Sequence, residues 1–388
     1  MGEAGANLKL DRKDLKRINR QTIFQYIRSR EHQVVSCMQI SKDTKISLPT
    51  VLKHVDYFEQ LNILKGIGAQ EVSGAGRKPM LLEFVPDAFF TIGASFDGKY
   101  LECACVNLNY EVVHSQRVIL NGSMDDLLSQ TIPAQLEQFI AEFAIPRKKI
   151  IGMGLALPTS VDTNQYRTTT PSPLLGWDVD YDLKTPLDQL SHQFGCPVFI
   201  ENDVNAAAIG EFKERQLTAE DDLVYITLGT GIGSGIVLNG HVRRGKQFAA
   251  GEIANLVFGD VFSQMGAPAE AMLTPQHLLT QFQYNVYDAH GQDQRTRIRV
   301  ADYIARHLAV IIMNMESVLN VNYFVLGGFV IEQLKPEVLE FLLEYLAGCG
   351  FDHLNITPGN SPFASSKGVG SLASDRALDS IFTRDDSD

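Results

Sequence analysis

The 388-residue sequence has no apolar run approaching the ~18 residues needed to cross a bilayer. Its longest candidate, Leu308 to Met313, is followed closely by Asn314 and Glu316. The start, Met1-Gly2-Glu3-Ala4, carries neither the basic region nor the apolar segment of a secretory signal, so a cytoplasmic protein with no membrane partner is expected. Cysteine is sparse. Cys37, Cys103, Cys105, Cys196 and Cys349 are odd in number and scattered, a pattern of buried thiols in a reducing compartment rather than a disulfide framework. Cys103 and Cys105 alternate on one face of a predicted strand and are read as core packing, not as a metal or redox pair.

Positive charge is also in the minority, giving a net charge of −12 at pH 7, but the deficit is uneven. Residues 1–87 hold 14 Lys and Arg against 10 Asp and Glu, whereas the remainder holds 20 against 36. A basic head on an acidic body confines any nucleic-acid contact to the head. With 45% apolar and 21% charged residues the chain is ordinary globular protein, long enough for two or three domains.

The stretch Glu201-Asn202-Asp203-Val204-Asn205 follows the apolar run Pro197–Ile200 and leads into an Ala-rich segment with helical periodicity. That places Asn202 and Asp203 at a strand-to-helix corner. Ligands gather at such corners in open α/β sheets, although Asn and Asp are also ordinary helix caps. About 26 residues on, the run Leu223–Leu228 is followed by Gly229-Thr230-Gly231-Ile232-Gly233-Ser234-Gly235 and a second apolar run. A turn this rich in glycine can point its backbone N–H groups toward an anion or a sugar hydroxyl. His241-Val242-Arg243-Arg244-Gly245 beyond it reads as solvated surface.

The head reads as three short helices, over residues 11–30, Ser36–Thr44 and a third opened by Ser47 and Pro49, with an apolar stripe at Val51, Val55 and Phe58. Two short strands follow, joined by a glycine-rich basic tip at Gly76-Arg77-Lys78-Pro79. The pattern is that of a winged helix-turn-helix, with a generic small helical bundle as the plainer reading. Ser47, Thr50, Lys53 and His54 on the third helix, and Arg77 and Lys78 on the wing, are the candidate DNA contacts.

Taken with Gly154-Leu155-Ala156-Leu157-Pro158, Pro173–Trp177, Gly251-Glu252-Ile253 and Val325-Leu326-Gly327-Gly328, the corner and the glycine turn resemble the ROK family of repressors and sugar kinases. The winged head resembles that of its repressors. The resemblance implies an α/β, actin-like or ribonuclease H-like two-lobed body behind a DNA-binding head. Residues 1–87 would be the head, 88–200 a first lobe completed by a helix over 368–383, and 201–367 a second lobe with the sugar site at the interface.

The resemblance also implies that Asn202, Asp203, Glu252, Asn255 and Glu270 contact the sugar, and that Gly229, Thr230, Gly231 and Gly233 form a phosphate-loop-like turn. The chain departs from the family's kinases at several positions. Their Asp-x-Gly-Gly-Thr turn is replaced around Ser95, Asp97, Gly98 and Lys99, losing an acidic magnesium anchor. Asn255 stands where the family has His, Phe329 replaces a third glycine beside the adenosine, and no cysteine lies between Phe258 and Glu270 where the family binds zinc.

A sugar-responsive regulator, a repressor in the family's sense, is therefore expected. It would bind double-stranded operator DNA as a homodimer or homotetramer and respond to a sugar or sugar-phosphate effector, with no cofactor, no metal and no enzyme activity. The alternative is an active or bifunctional ATP-dependent sugar kinase in which Asp203 is the base. Asp203 does not separate the two, because a carboxylate that takes a proton also accepts a hydroxyl hydrogen bond.

Replacing Arg77 and Lys78 with Ala should weaken duplex binding and flatten its salt dependence, because every phosphate the protein no longer neutralises keeps its condensed counterion. Binding curves that superimpose on the unaltered protein's between about 50 and 200 mM salt would remove the wing from the interface.

Overall fold

The computed structural model describes residues 11–30, 33–69, 80–120, 126–259, 266–288, 291–361 and 363–384. The wing tip with Arg77 and Lys78 lies outside these residues. The head comprises α1 (Arg12–Arg28), β1 (Val35–Ser36), α2 (Cys37–Thr44), α3 (Leu48–Gln60), β2 (Leu64–Ala69) and β3 (Met80–Phe84). Asp11 caps α1 by accepting from the Lys13 and Asp14 N–H groups, and Ser36 caps α2 through the Gln39 N–H. At α3 the cap position falls to Ser47 with Pro49 in the first turn, but its hydroxyl pairs with Thr50 Oγ1 at 2.8 Å instead of with the backbone. The three strands form a small antiparallel sheet in the order β1-β3-β2. Ile23, Ile40, Val51, Val55 and Phe58 close its core.

The body is one topology used twice. The first sheet is built from β4 (Phe90–Phe96), β5 (Tyr100–Asn107), β6 (Val112–Ile119), β7 (Ile150–Leu157) and β10 (Val198–Asn202), with helices α4 (Ile132–Glu142) and α5 (Lys184–Phe194) in its crossovers. The small hairpin β8 (Val161–Asp162) and β9 (Arg167–Thr168) extends one loop. After α6 (Asp203–Glu214) comes the second sheet, β11 (Leu223–Leu228), β12 (Ile232–Leu238), β13 (His241–Val242), β16 (Tyr323–Gly327) and β17 (Asn355–Pro358). Its connections carry the pair β14 (Val257–Phe258) and β15 (Ala267–Pro268) and helices α7 (Ala269–Leu273), α8 (Pro275–Phe282), α9 (Gln294–Leu319) and α10 (Phe329–Gly348).

The orders are β10-β7-β4-β5-β6 and β13-β12-β11-β16-β17. In each, a three-strand antiparallel meander is continued by two parallel strands. The parallel strands are apolar along their length because helices cover both faces.

Each sheet then hands its last helix to the other. The helix α6 follows β10 of the first sheet but lies on β11 and β12 of the second. Its counterpart α11 (Ala364–Thr383) follows β17 of the second sheet but lies on β4 and β7 of the first. Glycine permits both dockings. A Cβ on Gly93 would enter the Ser366 carbonyl, and one on Gly154 would enter that of Val369. Where the helices cross, Cβ atoms on Gly210 and Gly368 would strike the carbonyls of Ala364 and Ala206. Backbone-to-backbone packing this close leaves nothing to rearrange.

The final helix begins at Ala364, four residues before the expected Gly368, because Gly368 and Gly370 are interior contact positions rather than a start signal. Pro336 lies inside α10, which begins seven residues earlier at Phe329. The far end of α11 enters the head core, where Phe382 meets Phe24 and Phe58 at centroid distances of 5.5 Å each. None of the described helices is long and apolar enough to cross a membrane.

Gly93→Ala should lower stability by about 1–3 kcal/mol or prevent folding, because the neighbour it meets is backbone and cannot yield. Gly348→Ala, whose Cβ meets nothing within 4 Å, is the matched control and should be neutral or slightly stabilising. Equal urea midpoints for Gly93→Ala and the unaltered protein would show that the packing of α11 on β4 is looser than described.

Candidate functional site

The strand β10 ends at Asn202 and α6 begins at Asp203, so the two roles open at this corner are divided between neighbours. Asn202 is the cap: its Oδ1 accepts from the Val204 and Asn205 N–H groups, each at 3.0 Å. Asp203 therefore is not needed as a cap, although its Oδ1 also accepts from Val204 N at 2.9 Å and from Asn202 Nδ2 at 3.1 Å. Burial pushes the Asp203 carboxyl up to about 6 against the pull of these backbone donors, and Asp97 and Glu252 raise it further. A half-buried carboxylate with a raised pKa at the C-terminal end of parallel strands has the chemistry to accept a ligand hydroxyl.

Two residues absent from the expected set brace this corner. Glu201, only 1% exposed at its side chain, accepts from Arg244 Nε at 2.9 Å and from Asn205 Nδ2 at 3.2 Å. The reading of Arg243-Arg244 as solvated surface thus fails for Arg244, whose guanidinium is drawn inward by a buried carboxylate; Arg244 and Glu201 are 43 positions apart, a separation with no local sequence signature. The second is Ser160, in the loop after β7 and just before β8, which donates to Glu252 Oε1 at 2.7 Å. This bond joins the first sheet's loop to the loop after β13, across the cleft. Asn202 Nδ2 donates to the neighbouring Thr159 carbonyl at 3.3 Å. Asn255 lies exposed in the short helical turn after Glu252.

The glycine turn is shorter than its sequence suggests. Only Gly229-Thr230-Gly231 form the bend, while Gly233, Ser234 and Gly235 belong to β12 and pair with β11. There glycine provides room for α6: Cβ atoms on Gly233 and Gly235 would press on Val204. Two backbone donors at the bend are engaged within the chain. Gly229 N–H bonds the Gly231 carbonyl, and Ile232 N–H bonds Glu270 Oε2 at 3.2 Å. Glu270 thus faces the hairpin bend with its carboxylate beside Gly231.

The first turn, between β4 and β5, is closed in the same way. Asp97 Oδ1 accepts from Lys99 N at 2.9 Å and Tyr100 N at 2.7 Å. Ser95 is buried; its hydroxyl donates to Ser365 Oγ on α11 at 2.9 Å, and Ser365 donates to the Asp203 carbonyl at 2.9 Å. Opposite Ser95 on β5, burial pushes Glu102 up to about 7, partly offset by Arg117 and reinforced by Asp97 and Glu332. Glu102 does not stand out in the sequence, because an acidic residue inside an alternating strand reads as solvent-facing. Among the described residues no group of three His, Cys, Asp or Glu is arranged to hold a metal.

A cavity of about 340 Å³ opens beside the hairpin bend, lined by Thr230, Thr274, Gln276, Leu279 and Tyr287 among others. It does not include Asp203. Phe329 packs on Gly229 and stacks on Tyr287 at a centroid distance of 5.4 Å.

In the head, Ser47 and Lys53 are exposed on α3 and Thr50 is half-buried, but His54 is 3% exposed and belongs to the head core. It sits one turn from Val51 and Phe58 on the inward face, so the side chain does not reach a groove; its polarity conceals its position in the helical period.

Comparison with known proteins gives matches of two kinds. The xylose repressor of Bacillus spizizenii is 27% identical over 246 residues, 63% of this chain and 62% of that protein. That of Lactiplantibacillus pentosus is 23% identical over 387 residues, 94% of this chain and 95% of that protein. A glucokinase of Halalkalibacterium halodurans is 26% identical over 273 residues, 61% of this chain and 79% of the enzyme. The chain thus spans less than two thirds of the length of the first of these relatives. Among solved structures, a ROK family transcriptional regulator described as a homolog of the E. coli MLC protein superposes with a TM-score of 0.74 at 18% identity, over 95% of this chain and 98% of that one. A ROK family glucokinase from Streptomyces griseus, in complex with glucose and AMPPNP, superposes with a TM-score of 0.55 at 19% identity, over 73% of this chain and 99% of that one. The two agree with the duplicated sheet topology, and the first extends over the head. The ROK family model matches residues 91–349, and the chain belongs to the ROK family.

Proposed function

We propose that the chain is a sugar-responsive transcriptional regulator that binds double-stranded DNA through its winged head and a sugar in the cleft at Asp203, without transferring phosphate. The observation that carries this reading is that a carboxylate of the chain holds backbone donors at each of the two turns. Asp97 holds the Lys99 and Tyr100 N–H groups, and Glu270 holds that of Ile232. A nucleotide triphosphate would need those donors and would meet two carboxylates in their place. The regulators among the relatives support the same choice, and their names make D-xylose the first effector to test.

In this reading residues 1–87 are the head, and the body's two lobes meet at the cleft. Asn202, Asp203 and Glu252 hold sugar hydroxyls, with Ser160 exchanging its bond to Glu252 for one to the ligand. Asn255 lies at the rim, and Glu270 shapes the bend rather than leaving it free for phosphate. Ser47, Thr50 and Lys53 face DNA on α3, with Arg77 and Lys78 on the wing. A symmetric homodimer or a homotetramer supplies two heads for two half-sites.

Removing a charged partner from a buried hydrogen bond costs about 2–5 kcal/mol. Asp203→Asn should therefore weaken sugar binding at least tenfold in a calorimetric titration while the protein stays folded. An Asp203→Asn protein with unaltered affinity would move the site elsewhere. Incubation of the unaltered protein with ATP, magnesium and D-xylose, D-glucose or N-acetylmannosamine should yield no sugar phosphate. Turnover abolished by Asp203→Asn would instead establish the kinase alternative.

The raised pKa sets the sign of a pH test. An acid held at about 6 when folded binds its proton more tightly there than in the unfolded chain, where Asp titrates near 4. The native state thus loses stability as pH rises from about 4 to about 6 and keeps that penalty above. Asp203→Asn removes the penalty, so its melting temperature should exceed that of the unaltered protein at pH 7.5, with the gap closing by pH 4.5. Sugar affinity, which needs the ionised acceptor, should rise over pH 5–7. A pH-independent affinity would exclude Asp203 as the acceptor.

A further inference from the structure

We infer that α11 is the element through which the sugar site acts on the DNA-binding head, with Ser365 at its cleft end and the Arg20–Tyr57–Asp379 clamp at its head end. This rests on the sugar site proposed above and names how that site is read out. At the cleft end, Ser365 is tied to both lobes' elements: it accepts from Ser95 Oγ on β4 and donates to the Asp203 carbonyl at the start of α6. Directly beyond, α11 crosses α6 with Gly210 and Gly368 in backbone contact, so the two helices cannot slide independently. Ion pairs extend the coupling. Lys367 meets Glu214, and Lys213 near the end of α6 meets Asp375 at 3.2 Å.

At the other end the last turns of α11 are held by side chains of the head. Arg20, fully buried, donates to the Phe382 and Arg384 carbonyls at 2.9 and 3.0 Å and lies 3.4 Å from the Tyr57 ring centroid. The Tyr57 hydroxyl donates to the Ile381 carbonyl at 2.9 Å. Asp379 accepts from Arg17 at 3.0 Å and Gln21 at 2.6 Å. These side chains come from α1 and α3, and Phe382 fills the core between the two helices, so the position of α11 sets the orientation of both.

The chain also passes from head to body at Pro86–Ala88, where Leu108 N–H bonds the Pro86 carbonyl and Lys149 Nζ bonds that of Asp87 at 2.7 Å. The head thus meets the body at the chain connection, at the α11 clamp and through Arg28, whose guanidinium lies 4.2 Å from the Tyr110 ring centroid. A ligand that closes the cleft draws the Ser160 loop of the first lobe toward Asp203 and Glu252 of the second; α6 shifts against the first sheet, α11 is pulled at its crossing with α6, and the head turns about Pro86–Ala88. A ligand does this only to the extent that it prefers the closed arrangement.

The experiment is amide hydrogen exchange of the full chain, with and without D-xylose, D-glucose and D-ribose, binding of each being measured by calorimetry on the same samples. The expected result is that a sugar that binds alters exchange around 203–209 and also, by at least twofold, in 12–28 and 376–384. In the paired variant Tyr57→Phe with Asp379→Asn, whose rings and packing are retained, sugar affinity and the change at 203–209 should persist while the change in 12–28 falls by at least half. Ser365→Ala should behave alike. A binding sugar that leaves 12–28 unchanged in the unaltered protein, or an undiminished head response in both variants, overturns the α11 route alone. Failure of all three sugars to bind overturns the sugar site itself and this inference with it.

Discussion

The backbone-to-backbone crossing of α6 and α11 is the constraint on which the rest of the molecule depends. Each helix leaves one sheet and covers the other, and the glycines that let them pass, Gly93, Gly154, Gly210 and Gly368, have no room for a methyl group. The exchange makes the two halves of the body one object. It also fixes where polar chemistry can gather: α6 begins at the cleft with Asn202 and Asp203, and α11 begins beside it with Ser365. A corner of this kind can tolerate a partly buried carboxylate because neighbouring backbone and side-chain donors hold it, even as burial raises its pKa.

The cleft's electrostatics follow from what its turns do with their own N–H groups. In a phosphate-binding turn those donors converge on an empty place. Here Asp97 and Glu270 each hold a backbone donor of their turn, and on top of burial Asp97 raises the pKa of both Glu102 and Asp203, as Glu252 does that of Asp203. A ROK family regulator and a ROK family glucokinase both superpose on this topology, so the topology by itself decides nothing about activity.

What is legible in the sequence is whatever depends on local pattern. The strand Ile150–Leu157 and the three head helices show in apolar periodicity and caps, and the Asn202-Asp203 corner shows as a strand handing over to an Ala-rich helix. What is not legible depends on pairing across distance. Arg244 looks like a surface residue until Glu201 is placed beneath it, and His54 looks like a DNA contact until the period of α3 turns it inward. Glycine is legible as a signal but ambiguous in meaning: Gly233 and Gly235 resemble turn residues yet sit in a strand to make room for α6, and Gly368 resembles a helix start yet sits within α11.

The proposed function requires one chain to join specific duplex recognition to sugar sensing. In-vitro selection of duplexes from a random library by the 388-residue chain tests this, with the selected duplex then titrated in the presence and absence of D-xylose, D-glucose and D-ribose. Enrichment of a sequence with two related half-sites is expected, with an affinity for it that one of the sugars changes at least tenfold. Enrichment of no sequence, or a selected duplex bound equally with and without every sugar, would contradict it.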